Sequence, residues 1–476
     1  MNFRMSKVLG VAVFSVVILN SCKKSFLEEP KPASALSSAD VFSSEDGVRS
    51  YFNGIYRRLR VQYGTSTDAW GIASVNLARE AKGLDIVLPD GASAWYGFDY
   101  THENREPNFR RTRFTWGFFY DFVNQANNVI DGVTKSTSIA EATKPKLLAE
   151  AKAIRAWSYF ELVREFSHAY SENPEGKGVP IYTEPTSAST IGKPRAKLSE
   201  NYALIVDDLK YAVANLSTTR ALKDIINKDV ANGLLARVYL EMKDWANAKL
   251  TAQAAKASYP LTASEYAPAT DIAKKEIIWG FPQQSDQTIF YGTPSAHYGY
   301  TGLVYNGYYV DSLFVNSFTS TDIRKSTFVN TGRTDFKRWV TKKFGSTTNF
   351  ADHIVMMRTA EMWLIEAEAK ARLGEADAGT VLFTLQKNRD PNAVSSGKTG
   401  QALIDEILYE RRKELYGEIG VSFMDIKRLG LPLVRGVGHP TLYRFNFAAN
   451  SNLFTLKIPQ EEMDANKSIT TADQNP

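Results

Sequence analysis

Six tyrosines (Tyr291, Tyr298, Tyr300, Tyr305, Tyr308 and Tyr309) fall within nineteen residues, against 23 in the whole chain of 476. Gly292, Gly299, Gly302 and Gly307 interrupt them, so the stretch reads as loop rather than helix or long strand. A second aromatic cluster, Trp95-Tyr96-Gly97-Phe98-Asp99-Tyr100, precedes Arg105, Arg110, Arg111 and Arg113. Flat rings suit the apolar C–H face of a sugar, with Asp, Asn, Gln or Arg at the ring edges to meet its hydroxyls. Aromatic residues on Gly-rich loops read as contact residues. The expected ligand-binding set is therefore Trp95, Tyr96, Tyr298, Tyr300, Tyr305 and Tyr308. The competing reading is that these rings fold back onto the body of the protein and the arginines solvate a loop. Four arginines would favour an anionic sugar, but Asp99, Glu103 and Glu106 stand among them.

Other chemistries find little support. The five histidines (His102, His168, His297, His353, His439) show no HxxxH spacing that would put two imidazoles on one helix face. A single cysteine, Cys22, forbids an intrachain disulfide and a Cys-based zinc site. No metal or cofactor is expected, and no catalytic residue is assigned. The net charge of +5 is small for this length and argues against a nucleic-acid partner. With 52 acidic residues, a glycoside hydrolase using two carboxylates about 5–10 Å apart stays open as an alternative. The composition, 43% apolar and 23% charged, is that of an ordinary globular protein.

The first segment reads as an address. Arg4 and Lys7 precede an apolar run from Val8 to Leu19, too short for a membrane-spanning helix of about 20 residues and shaped like a secretory signal. Leu19-Asn20-Ser21-Cys22 resembles a bacterial lipobox, which implies cleavage after residue 21 and lipidation of Cys22. Residues 22–44, rich in Pro, Ser and charge, suit an extended leash between lipid and body.

Apolar residues recur at helical spacing over about nine windows: 45–62, 116–132, 145–166, 199–215, 228–241, 245–257, 358–373, 376–388 and 402–416. Between 264 and 350 the pattern breaks into loops with short β-prone pieces, Ile277–Phe281 and Trp339–Thr341. The fold class expected is mainly α, helical hairpins carrying a loop-rich irregular region with minor β pieces. Leu235, Ala236, Tyr239, Ala248, Ala255 and Pro260 fall at tetratricopeptide spacing around a turn at Lys243-Asp244-Trp245. Ile365, Ala378 and Leu382 give a looser second match, with Gly374-Glu375 at the turn. These are core positions, and such hairpins need neighbours to cover them.

Several motifs in order resemble one family, the SusD/RagB-like outer-membrane lipoproteins of Bacteroidota. They are Ser25–Pro30, Phe52–Tyr56, Trp116–Tyr120 with Asn124–Asn127, Glu150–Phe160, and Gly178–Ile181. The C-terminal half adds Arg358, Glu361 and Leu364–Ala369, then Glu410–Glu418 with Phe423–Gly430, and the closing Ile458–Asn466. The turn at Ile419–Ser422 and the stretch Thr470–Asp473 depart from the family pattern. The resemblance implies a non-enzymatic, lipid-anchored protein on the outside of the outer membrane that captures oligosaccharide or polysaccharide. Its implied partner is a SusC-like TonB-dependent transporter, faced by the tetratricopeptide-like helices. The implied division is a helical region over 45–263 and an aromatic-loop region over 264–476. Peptide or glycopeptide cargo, or a pure assembly role, remain alternatives. Physical chemistry alone reads the charges of Glu410–Glu418 as a solvated helix face with weak intrahelical pairs. The competing reading has Arg411 or Arg412 bridging helices to Glu361 or Asp425.

Overall fold

The computed structural model describes residues 38–64, 68–90, 95–269, 271–284, 286, 292–298, 307–345 and 350–476. Helices form where the apolar spacing is helical: α1 (Glu45–Arg58), α3 (Arg110–Lys135), α4 (Lys144–Phe166), α5 (Leu198–Asn215), α6 (Lys228–Met242), α7 (Trp245–Lys256), α8 (Thr359–Leu373), α9 (Ala378–Arg389) and α10 (Gly400–Glu414). In α5, Tyr202, Ile205, Leu209 and Ala212 are buried while Ala203, Asp207 and Lys210 face solvent, an ordinary amphipathic stripe. Local chemistry sets the ends. The side chains of Ser44, Asn227 and Asp244 accept backbone N–H groups at the starts of α1, α6 and α7. Lys243 and Gly374 take left-handed conformations that stop α6 and α8.

Helices α3 to α8 pack in sequence order, each on the next, and α8 also carries α9 and α10. Leu235, Ala236, Tyr239, Ala248 and Ala255 are buried at the α6–α7 crossing, and Ile365, Ala378 and Leu382 at α8–α9. Pro260 is exposed. Small residues allow the close crossings. A Cβ at Gly233 on α6 would fall on the Met357 sulfur, so any larger residue there would push the Met357 side chain aside.

Two further helices, α2 (Gly71–Lys82) and α11 (Val421–Leu429), fall outside the nine windows, as does the short closing helix α12 (Gln460–Ala465). Every residue of α2 is buried, so it presents no polar face and no stripe to read. Its Arg79 meets Glu161 at 2.7 Å and Glu165 at 2.5 Å on α4. Among the described residues the strands form four antiparallel pairs: β1 (Ile86–Val87) with β3 (Tyr309–Val310), β2 (Ile277–Phe281) with β6 (Ile354–Arg358), β4 (Phe328–Asn330) with β5 (Trp339–Thr341), and β7 (Leu433–Val434) with β8 (Asn446–Phe447). Residues 42–476 form one compact unit; of the other, 1–41, the described part is a single helical turn, Ser38–Val41. Cys22 lies outside the described residues.

The charges of Glu410–Glu418 are not a solvated face. Glu410, Arg411, Glu414 and Glu418 are buried. Arg358, at the end of β6, bonds Glu418 at 2.6 Å, Glu414 at 2.9 Å and Glu276 at 3.2 Å. Arg389 of α9 reaches Glu276 at 2.8 Å and Glu414 at 2.9 Å, and Arg324 reaches Glu414 from the other side at 3.0 Å. The bridging reading holds for Arg411, which meets Asp425 at 3.0 Å on α11, whereas Glu361 pairs with Arg237 on α6 at 2.7 Å. Arg412 reaches past both to Asp85 at 2.5 Å. Helical periodicity misleads here because a charge satisfied by a distant partner can occupy the core side of a helix.

Candidate functional site

A second hydrophobic core, separate from that of the helical stack, lies where α2, β1, β3 and Tyr416 meet, and most of the predicted ligand tyrosines belong to it. Tyr96 is fully buried. Its ring packs edge-on against His297 and Tyr308 at 5.1 and 5.9 Å, and its hydroxyl pairs with Ser74 at 3.0 Å. Tyr298 stacks on Phe344 at 4.7 Å, and Tyr308 donates to the Leu77 carbonyl at 2.8 Å. Burial pushes all three phenols up from their ordinary value of 10. Tyr96, Tyr298 and Tyr308 are thus core residues rather than loop rings turned to solvent: their rings pack on other rings and their hydroxyls meet protein partners. Tyr300 and Tyr305 lie outside the described residues.

Trp95 is different. It is half-buried at the edge of this core, its ring 5.6 Å from His297. Two residues not anticipated as contacts, Tyr309 and Trp339, are also half-buried beside this core. Tyr308, Tyr309 and Val310 run extended, and their burial alternates, so Tyr309 faces out where its neighbours face in. Trp339 on β5 does the same beside buried Val340, and β5 packs on β3. The Arg338 guanidinium lies 5.5 Å from the Trp339 ring, and Lys337 pairs with Asp90 at 2.8 Å. The signal that could have found Tyr309 and Trp339 was strand alternation within two very short strands, three residues being too few to register as a pattern.

Around this core, half-buried rings thus lie beside cations and a carboxylate, the kinds of group that meet a sugar's C–H face and its hydroxyls. The arginines following Trp95 do not make an anion site. Arg111 is buried between Asp99 at 3.4 Å and Asp68 at 3.7 Å, Arg110 pairs with Asp68, Arg113 with Glu461, and Arg105 donates to the Thr455 carbonyl.

Two family models match the chain in series. Residues 26–240 match one described as starch-binding associating with outer membrane, and residues 286–476 match the SusD family. A SusD-like protein of Bacteroides ovatus is 26% identical over 247 residues, covering 52% of this chain but 41% of its own length. SusD-like protein P25 of Formosa agariphila is 22% identical over 98% of each chain. Among solved structures, a SusD-like carbohydrate binding protein from Bacteroides vulgatus superposes with a TM-score of 0.81 at 27% identity, over 90% of this chain and 98% of that one. A SusD superfamily protein from Bacteroides thetaiotaomicron gives 0.78 at 23% identity, over 90% and 99%.

Proposed function

The chain belongs to the SusD/RagB family of non-catalytic carbohydrate-binding proteins associated with the outer membrane, and from that premise we propose that it captures oligosaccharide outside the cell and delivers it to a TonB-dependent transporter. The observation that carries this reading is a helical stack bearing, on a second core, an edge of partly exposed rings: Trp95, Tyr309 and Trp339. Tyr300 and Tyr305 stay in the proposed contact set on sequence grounds. An open edge suits a polymer, which can lie across it with several sugar rings engaged at once.

Anchoring through Cys22 completes the proposal. Each buried methylene contributes about 0.8 kcal/mol, so a multiply acylated cysteine holds where a single chain would not. Metabolic labelling with radioactive palmitate should mark the parent and leave Cys22→Ser unlabelled, with a transporter barrel co-purifying from outer membranes only with the parent. An unlabelled parent would remove the anchor from the proposal, and a labelled parent lacking the barrel would remove the partner.

The capture site is tested by affinity electrophoresis through gels cast with starch, laminarin, xylan or arabinogalactan. The parent should be retarded in at least one gel. The double variant Trp95→Ala/Trp339→Ala should lose about tenfold in affinity per ring, from the roughly 1–1.5 kcal/mol a well-placed aromatic face supplies. Equal migration of parent and variant in every retarding gel refutes the site.

A further inference from the structure

We propose a second saccharide site on the helical stack: a cavity of about 310 Å³, lined by α3, the 182–192 loop and α12, that takes a single neutral pyranose. It shares no residue with Trp95, Tyr309 or Trp339.

Three stretches far apart in the sequence assemble it. Trp116 and Tyr120 of α3 supply adjoining rings 4.8 Å apart and tilted by 48°, and Tyr182 stands edge-on to Tyr120 at 6.1 Å. The rims carry Asn124, Glu462 and Asn466. An aromatic floor with amide and carboxylate edges matches the two kinds of surface a pyranose presents. The volume lies at the small end of the roughly 300–1,000 Å³ usual for small-molecule sites, which suits one ring rather than a chain.

The walls are held in advance of any ligand. Tyr120 donates to the Pro180 carbonyl at 2.8 Å, and the Trp116 indole N–H donates to Glu462 at 3.3 Å. The Asn466 amide donates to Glu462 and to the Lys193 carbonyl, each at 2.8 Å. Asn124 accepts the Thr186 N–H at 2.7 Å, and Asn127 donates to the carbonyls of Tyr182 and Glu184, both at 3.0 Å. A loop without helix or strand is thus pinned at several points, so a ligand would bind without the cost of ordering it.

The lining chemistry selects charge. Among the described residues no lysine or arginine lines the cavity, and its one carboxylate is that of Glu462. Lys193 sits outside, over the Tyr182 ring at 5.6 Å. A carboxylate with unused lone pairs accepts sugar hydroxyls and repels a uronate or sulfate.

The experiment uses the mature chain labelled with 5-fluorotryptophan, the Trp116 fluorine resonance being identified by its loss in Trp116→Phe. Methyl glucopyranoside, methyl galactopyranoside, N-acetylglucosamine and galacturonate are titrated separately. At least one neutral sugar should shift the Trp116 resonance saturably in the millimolar range, and galacturonate should not. Ala465→Phe, at an exposed lining position, should weaken that shift at least tenfold while the melting temperature is kept. Thr190→Trp fills the same space from the loop and serves if the first variant fails to fold. The Trp95→Ala/Trp339→Ala protein should keep the shift, so loss of polysaccharide retention and loss of pyranose binding report on different sites. No saturable shift with any neutral sugar, equal binding of galacturonate, or an unchanged titration in both filled variants overturns the proposal.

Discussion

Replacing Glu414 with alanine should destabilise the protein by about 3–5 kcal/mol, the usual cost of removing one partner from a buried ion cluster. Glu414 is fully buried and accepts from Arg358, Arg389 and Arg324, which come from the end of β6, from α9 and from the turn before β4. Burial alone would push its carboxyl up, but Arg389, Arg358 and Arg324 together hold it well below the ordinary carboxylate range. Removing it takes one buried carboxylate from each of three guanidiniums, leaving Arg358 with Glu418 and Glu276, Arg389 with Glu276, and Arg324 with Asp322 and Glu410, so the cluster is left with excess positive charge where water cannot replace what is lost. Glu414→Gln keeps the shape and loses the charge, so it should fall between parent and alanine variant. The exposed Arg333–Asp335 pair supplies the contrast: Arg333→Ala should leave stability almost unchanged. Urea unfolding followed by circular dichroism measures all three. A Glu414→Ala protein within about 1 kcal/mol of the parent would show that the cluster is not what joins these elements.

That cluster also marks where sequence patterns stop being informative. A helix half in water shows its stripe, and α5 could be read from Tyr202, Ile205 and Leu209 against Asp207 and Lys210. A helix sealed on all sides shows none, so α2 was invisible although it supplies Arg79 and Glu80 to the interior. Charged residues pointing inward reverse the usual inference, as Glu410 and Glu414 do, because their partners lie far along the chain. The site was legible at the level of region but not of residue. Trp95 is half-buried beside the second core, where a proposed contact could stand. Composition cannot separate Tyr308 from Tyr309, and the half-turn of an extended backbone between them decides which ring is core. Trp339 lies outside both aromatic clusters in sequence and joins the edge only through the packing of β5 on β3.

Glu80 should give the chain a pH dependence that Glu80→Gln removes. It is buried on α2, accepts the Gly420 N–H at 2.6 Å, and faces Asp85, Lys343 and the Gly417 backbone. Burial is the main cause that pushes its carboxyl up from 4.5 to about 8, so in the folded protein it carries a proton at neutral pH. In the unfolded chain it titrates near its ordinary value. Folding therefore takes up a proton between these two values. The stabilising contribution is full below about pH 4.5 and is lost progressively as pH rises through about 8. At 1.36 kcal/mol per pH unit the loss is about 3–5 kcal/mol. Two buried lysines tilt the parent's curve the other way. Lys427 is lowered to about 7 and Lys343 to about 8, each chiefly by burial, so stability gains from their neutral forms as pH rises from those values towards 10.5. Glutamine keeps the acceptor for Gly420 and removes the titration, so the comparison cancels Lys427, while Lys343 faces a neutral side chain in both proteins wherever Glu80 is protonated. The two proteins should have nearly equal unfolding free energies at about pH 5, and the variant should become the more stable by several kcal/mol at about pH 8.5. Parallel stability curves across that range would mean that Glu80 is ionised in the fold, with Lys343 as its counter-charge.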